Sequence, residues 1–471
     1  MNDALNILFI TNGFPPIRWA GTETYTASIA GELMERGHTV RVLCCGDWDV
    51  GPNHWNGYVE DVYKGIPVRR INLNWQKSPD PQKYLYNNPE VAEFLDKYLK
   101  EIKPDLVHVT SCETLSASVL EVVKQNQIPL ILSITDFWFL CPTINLLRSD
   151  GQNCDGITTP WDCLQCTAHS SKPYKWARSI LPEMSVEFLF TRLSKMPVII
   201  RQRGFRGWVR NMADRKQYMR YAFSVPDIRM VASQFVKDIH EQNEFDDSIQ
   251  LHPYGHDLSW LNDYRDREPS GSLNVGFIGQ IIRKKGVHLL LEAALQLKHL
   301  YSDKINFLIY GSLQKDPEYA RYLQELAADM ENIQFCGTYP HEESAEVFSK
   351  FDVLAIPSLW YDFPLIMHEA FAAGKPVIAT NLGGMAETVS HEVNGLLFER
   401  GNVAELAYHL RHLVDEPRLL QKLRANIPIV NTVKEEVKKL ESNYLKLLGF
   451  SLVVFHILYN VGVLGLEYSF G

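Results

Sequence analysis

The sequence predicts an α/β protein made of two doubly wound parallel-sheet domains that face each other across a cleft. Three observations carry this. The chain has 471 residues, more than one ordinary core holds, so two domains are expected. Apolar runs rich in Val, Ile and Leu alternate with segments of helical periodicity, the βαβ pattern of a parallel sheet. The pattern also starts twice, at Asn6 and again at Leu273, on either side of a polar stretch over 257–271 with Pro and Gly near its end.

In the first half, Asn6–Thr11 reads as a buried strand, Thr22–Arg36 as a helix closed by Gly37, and Thr39–Cys44 as the next strand. Leu106–Val109 and Leu130–Thr135 are further strands. In the second half the strands are Leu273–Ile278, Ile305–Tyr310, Val353–Ile356 and Pro376–Ala379. The helices are Val287–Lys298 after a Gly286 break, Tyr319–Met330, Ser344–Ser349 and Ile366–Ala373. The expected division is an N-terminal domain over 1–258, a C-terminal domain over 259–427, and a helix with an apolar tail over 428–471. Ligands of such sheets bind at the carboxyl ends of the strands.

Apolar residues make up 46% and charged residues 22%, a globular balance. The net charge of −9 argues against a protein wrapped in nucleic acid, so no nucleic-acid partner is expected. Met1–Leu5 carries Asp3 and no basic segment before the first strand, which points to a cytoplasmic protein. Structural disulfides are rare there, and the eight cysteines are expected to be buried thiols or metal ligands. Phe450–Leu466 is apolar but interrupted by Asn460 and glycines, short of the roughly 20 apolar residues of a spanning helix. It reads as a packed or disordered tail, or as a segment dipping into a membrane.

The chemistry concentrates after the strands of the second half. Gly279 ends one strand, and Arg283, Lys284, Lys285 and Gly286 follow before a helix. Glycines there let the backbone approach a phosphate, and basic side chains would neutralise a diphosphate. Another strand leads through Pro357-Ser358-Leu359-Trp360-Tyr361-Asp362-Phe363-Pro364-Leu365 to Glu369. Pro364 suits a helix start, which leaves the Leu365 and Ile366 amides pointing into the cleft. A carboxylate one turn further on suits the vicinal hydroxyls of a ribose. Gly383, Gly384 and Glu387 open another helix toward the same cleft. The alternative for each charge is a solvated surface.

Pro357–Glu369 with Ala370, Gly374-Lys375-Pro376-Val377 and Gly383-Gly384-Met385-Ala386-Glu387 resembles the donor-binding signature of retaining glycosyltransferases of the GT-B fold, with two Rossmann-like domains, and family 4 among them. The resemblance includes Ile10-Thr11-Asn12 to Gly21-Thr22-Glu23 and Gly37-His38, and runs over roughly 6–401 apart from an insertion. It implies a hexosyltransferase that uses a nucleoside diphosphate sugar of UDP or GDP type. The acceptor would be a glycan or a lipid-linked sugar, in polysaccharide or glycoconjugate synthesis, and no catalytic metal is required. Lys285 and Arg283 would hold the diphosphate together with backbone near Gly21 and with Phe363, Pro364, Leu365 and Ile366. Glu369 would hold the ribose. The family's first acid falls at Tyr361, and the adjacent Asp362 is expected to contact the transferred sugar. Asp136 and Thr135 occupy the positions of a catalytic His-Asp pair, and His108 is expected to be structural. The chain departs from the family at Ala20, Thr135, Gln280 and Tyr361. Those departures keep open a catalytically silent nucleotide-sugar-binding protein, and a sugar-nucleotide epimerase of the same fold is a further alternative.

The insertion covers 141–221. Cys141, Cys154, Cys163 and Cys166 fall in its first part, and the Cys163–Cys166 pair has the spacing of a metal knuckle. A structural zinc is expected, an iron–sulfur cluster is the second choice, and unrelated or redox-paired thiols are the alternative. Lys195–Arg220 is basic with interleaved aromatics. It suits peripheral contact through 195–221 with the inner face of a membrane, a grip on an anionic acceptor, or a solvated helix.

Overall fold

A computed structural model describes residues 4–169, 172–194, 208–245, 248–266, 271–361 and 363–449. Two sheets organise them. The first has eight strands: β1 (Asn6–Thr11), β2 (Thr39–Trp48), β3 (Trp55–Tyr63), β4 (Ile66–Leu73), β5 (Leu106–Val109), β6 (Leu130–Ile134), β7 (Ile228–Val231) and β8 (Gln250–Leu251). Their order is β3-β4-β2-β1-β5-β6-β7-β8, parallel except for β3 against β4. The second holds β9 (Leu273–Ile278), β10 (Ile305–Tyr310), β11 (Ile333–Gly337), β12 (Val353–Ile356), β13 (Val377–Thr380) and β14 (Gly395–Phe398), in the order β11-β10-β9-β12-β13-β14 and all parallel. In both sheets the chain starts in the middle, runs to one edge, and returns to build the other half. That reversal opens a crevice at the carboxyl ends of the two central strands.

Strands buried on both faces read as apolar runs, which is why β1, β9 and β12 were legible. The β3–β4 hairpin was not anticipated, because β3 is an edge strand with mostly exposed or half-exposed residues. β2 also runs on to Trp48, past the expected end. The helix expected at Tyr319–Met330 is Pro317–Ala327. The Asp316 side chain caps its start at the Tyr319 amide, with Pro317 in the first turn.

Two crossings join the domains. His256 pairs with Thr432 across them, with the His256 amide donating to the Asn431 carbonyl and the Val433 amide to the His256 carbonyl, both at 3.0 Å. A Cβ on Gly255 would lie 2.3 Å from the Thr432 carbonyl oxygen, so the close approach requires glycine. The helix expected within 428–471 is Val433–Leu447. It opens with a capping box from Thr432 and Glu435 and returns to the first domain. There Val437, Leu440 and Tyr444 join a core with Ile7, Phe9 and Tyr25. The fully buried Glu436 accepts from the Tyr25 hydroxyl at 2.9 Å and the Gly255 amide at 2.6 Å. His108 is structural: buried on β5, it bonds Tyr444 and Ser133 at 2.7 and 2.8 Å.

Candidate active-site crevice

In the second domain the reversal lies between β9 and β12, and the loops after both strands are packed together. Gly286 has φ +73°, and a Cβ there would sit 1.8 Å from the Pro357 carbonyl oxygen. Only glycine permits that contact. The Leu359 amide donates to the Lys284 carbonyl at 2.8 Å. The Lys284 ammonium lies 4.0 Å from the Trp360 ring centre and the Lys285 ammonium 5.7 Å. The helix Leu365–Ala372 begins directly after Pro364, and among the described residues no side chain caps its first amides at the positive end of its dipole. Glu369, one turn in, accepts no hydrogen bond from a described residue, and burial with the nearby charge of Asp257 pushes its carboxyl up to about 7.

In the first domain the reversal lies between β1 and β5. The loop after β1 is held by Arg70, whose buried guanidinium donates to the Phe14 and Pro15 carbonyls at 2.8 and 2.7 Å and pairs with Asp61 at 2.6 Å. Three carboxyls gather at the strand ends. Glu23, in the first turn of the helix Gly21–Glu35, is raised by burial, and one of its oxygens has no partner among the described residues. Burial and the charge of Asp136 push Glu113 up to about 7. Burial also pushes Asp136 to about 6, against the Trp138 amide that donates to it at 2.8 Å. The Thr135 hydroxyl accepts from Thr22 and donates to the Thr110 carbonyl, each at 2.9 Å. It therefore ties three segments together, and its proton is engaged.

The two crevices face each other. A Cβ on Gly21 would meet only the Leu365 side chain, at 3.9 Å. Tyr361 packs its ring 4.8 Å from Phe235 and 6.3 Å from Phe137. Glu387 accepts from the amides of Gln234 and Phe235 at 2.9 and 3.0 Å, so it caps a helix of the opposite domain. Lys284 donates to the Asn145 side chain at 2.9 Å.

The crevice thus brings together Gly21, Pro364, Leu365 and Glu369, with Phe363 packed 5.2 Å from His368 and 5.9 Å from Tyr254. Lys285 stands at its edge over Trp360. Arg283 instead stacks over Tyr319 and Tyr322 at 5.5 and 5.7 Å, on the flank of the helix Pro317–Ala327. Asp362 lies outside the described residues, as do Phe450–Leu466 and residues 195–207 of the basic stretch. The rest of that stretch forms the helix Trp208–Ser224. Its cations Arg215, Lys216 and Arg220 bond Trp138, Thr158 and Glu244 rather than presenting a free basic face. The four cysteines line one cavity, yet no three of them stand in metal-binding geometry among the described residues. No described helix is long and apolar enough to cross a membrane. Sequence reasoning missed Glu113, Arg70 and the tether from Lys284, since each acts through a partner distant in sequence.

Facing Rossmann-like domains whose switch points share one crevice define the GT-B class. Solved structures bear out the fold. Sucrose-phosphate synthase from Thermosynechococcus elongatus superposes with a TM-score of 0.62 at 17% identity, covering 95% of this chain and all of that one. Anabaena HepE in complex with UDP-glucose gives 0.59 at 16%, covering 93% and 100%. The chain belongs to the family 4-like glycosyltransferases: residues 263–429 match the model for glycosyl transferases group 1, and residues 20–152 that for the glycosyl transferase 4-like domain. D-inositol 3-phosphate glycosyltransferase 1 of Catenulispora acidiphila is 35% identical over 159 residues, which is 32% of this chain and 37% of that one. The match therefore spans about a third of the relative's length.

Proposed function

We propose that this protein is a retaining hexosyltransferase that uses a nucleoside diphosphate sugar of UDP or GDP type. The observation that carries the reading is Glu369: a desolvated carboxyl that accepts no side-chain hydrogen bond from a described residue, one turn inside a helix start that no described side chain caps, at the switch point of the second domain. A ribose offering two hydroxyl donors would satisfy it. The uncapped amides and Lys285 would take the diphosphate. HepE, a neighbour in fold, was solved with UDP-glucose, which supports this class of donor.

Transfer with retention needs no protein nucleophile. The bond from the sugar's anomeric carbon to the diphosphate oxygen breaks as the acceptor oxygen bonds on the same face. The acceptor proton passes to the departing diphosphate. The chain's part is to position the partners and stabilise charge. The carboxyls of Glu23, Glu113 and Asp136 face the acceptor side, where they would hold hydroxyls of a glycan or lipid-linked sugar. An acceptor at a membrane is supported by the exposed side chains of Trp176, Ile180, Leu181, Met184, Phe188 and Leu189, on two consecutive helices of the insertion and the turn between them.

The test is product formation from a panel of UDP-, GDP- and ADP-sugars with lipid-linked and free glycan acceptors. Transfer from one donor with retained anomeric configuration is expected. Tight nucleotide binding without hydrolysis or transfer of any donor would instead return the silent binding protein, for which the engaged Thr135 hydroxyl speaks.

A further inference from the structure

We infer that Cys141, Cys154, Cys163 and Cys166 hold a thiophilic metal centre, and that this centre fixes the strut on which the donor-side loop of the second domain rests. The inference stands on the cysteines' own surroundings and does not depend on the transferase reading.

All four thiols, separated by 13, 9 and 3 residues in sequence, line a single cavity of about 210 Å³. Local structure brings them there. A tight turn, closed by the Arg148 amide donating to the Gln152 carbonyl at 2.7 Å, presents Cys154, whose own amide bonds the Leu146 carbonyl at 2.7 Å. Cys163 and Cys166 lie three apart on the helix Pro160–His169, and so on one face of it. All four are free thiols, none fully buried.

Each sulfur already meets a hydrogen-bonding group, an amide donor at Cys154 and Cys166 and a hydroxyl that could donate or accept at Cys141 and Cys163. Thr143 reaches Cys141 at 3.2 Å and Thr158 reaches Cys163 at 3.2 Å. The Gly156 amide donates to Cys154 at 3.4 Å, and the Ser149 amide donates to Cys166. Hydrogen bonds to sulfur are what hold thiolate ligands in a closed metal site. Charge fits as well. A zinc ion with four thiolates carries two net negative charges, as does an oxidised four-iron cluster so ligated. Two guanidiniums stand by: Arg148 donates to Cys154, and the buried Arg215 lies within electrostatic reach of Cys141 and Cys163. The sulfurs surround the cavity without yet closing on a centre, so binding would contract the loop around it.

A centre would add to the insertion's own packing, in which Leu164, Ala168, Tyr174, Val186 and Met212 form a buried apolar cluster among the described residues. The stapled loop in turn touches the second domain. Asn145 accepts from Lys284, the Gly151 carbonyl accepts from Arg400, and Tyr361 packs where Cys141 and Cys154 meet Phe137. Arg400 also donates to the Leu359 carbonyl at 2.6 Å. The cysteine loop thus meets the loop after β12 directly at Tyr361, and indirectly through Lys284 and Arg400, each of which also bonds Leu359.

The experiment is metal analysis of the full chain purified without chelator, alongside Cys163→Ser, Cys166→Ser and Cys336→Ser. Wild type and Cys336→Ser should carry one centre per chain, with at least tenfold less metal in the other two. Zinc would appear colourless and be released by an organomercurial. A cluster would show iron, acid-labile sulfide and visible absorbance. Either result supports the site. Because Cys163→Ser could fail to fold, a second measurement uses wild type. Stripping the metal should expose four more thiols to titration and open the 141–169 loop to protease, while far-ultraviolet circular dichroism keeps most of its signal. A folded wild type that holds no metal as purified, takes up no zinc, and keeps its proteolysis pattern when zinc is added would overturn the inference.

Discussion

The two crevices share one topology and carry opposite chemistry. In the second domain the reversal point carries the cations Lys284 and Lys285 and, among the described residues, the uncapped start of the helix Leu365–Ala372, with the carboxyl of Glu369 near that of Asp257. In the first, the equivalent point gathers Glu23, Glu113 and Asp136, whose carboxyls burial drives toward the neutral form. Strand order therefore explains where ligands bind, and side-chain charge explains which ligand goes where. On the proposed reading an anionic diphosphate would go to the second crevice, and a polyhydroxyl acceptor to the first, since desolvated carboxyls exchange hydrogen bonds with hydroxyls.

The largest break in this contrast should come from Lys285→Ala. Loss of a cation beside the diphosphate should weaken nucleotide-sugar binding by about 100-fold, measured by calorimetry, and leave acceptor binding intact. An unchanged affinity would mean that Lys284 alone supplies the charge and that the Lys285 assignment is wrong.

A smaller effect sharpens the contrast through pH. Burial and the charge of Asp257 push the Glu369 carboxyl up to about 7. Its folded value lies above the ordinary carboxylate value, so the stability gained from its neutral form is full below about 4.5 and lost as pH rises through 7. On the proposed reading ribose hydroxyls would donate to the ionised form, so ligand binding would release a proton. The affinity for a UDP-sugar, whose diphosphate does not titrate in this range, should rise about tenfold between pH 6 and pH 8. Glu369→Gln should flatten that profile. A profile unchanged by the substitution would remove Glu369 from the ribose site.

The second crevice was the more legible of the two. Its chemistry lies in two short stretches, 279–286 and 357–369, and nearest neighbours in sequence remain neighbours in the crevice. Even there Arg283 turned to a tyrosine pair, because its flanking helix places Tyr319 and Tyr322 within reach. Tyr361, where an acid was expected, became an aromatic contact to the other domain. The first crevice was harder to read. Glu23, Glu113 and Asp136 come from three separate loops, and nothing local marks Glu113 as part of a group. Arg70 and Glu436 hold the fold through partners 55 to 411 residues away in sequence, a distance over which periodicity says nothing. The β3–β4 hairpin shows the same limit, since an edge strand lacks the apolar run that reveals a central one.

The smallest expected effect bears on that less legible crevice. The charge of Asp136 raises the cost of ionising Glu113, while Asp136 itself feels the charge of Glu23. Glu113→Gln removes one charge and keeps the shape. Asp136, which ionises before Glu113, should titrate as before, and the acid limb of the transfer rate should stay in place. The acceptor KM should rise by about threefold for the loss of one charged hydrogen bond partially replaced by an amide. Nucleotide-sugar affinity should stay constant, because the second crevice is untouched. The split between the two constants is what separates an acceptor-side carboxyl from one that merely supports the loop after β5: a structural role would lower Tm and disturb donor and acceptor binding together. An equal loss on both sides would erase the distinction between the two crevices at this residue.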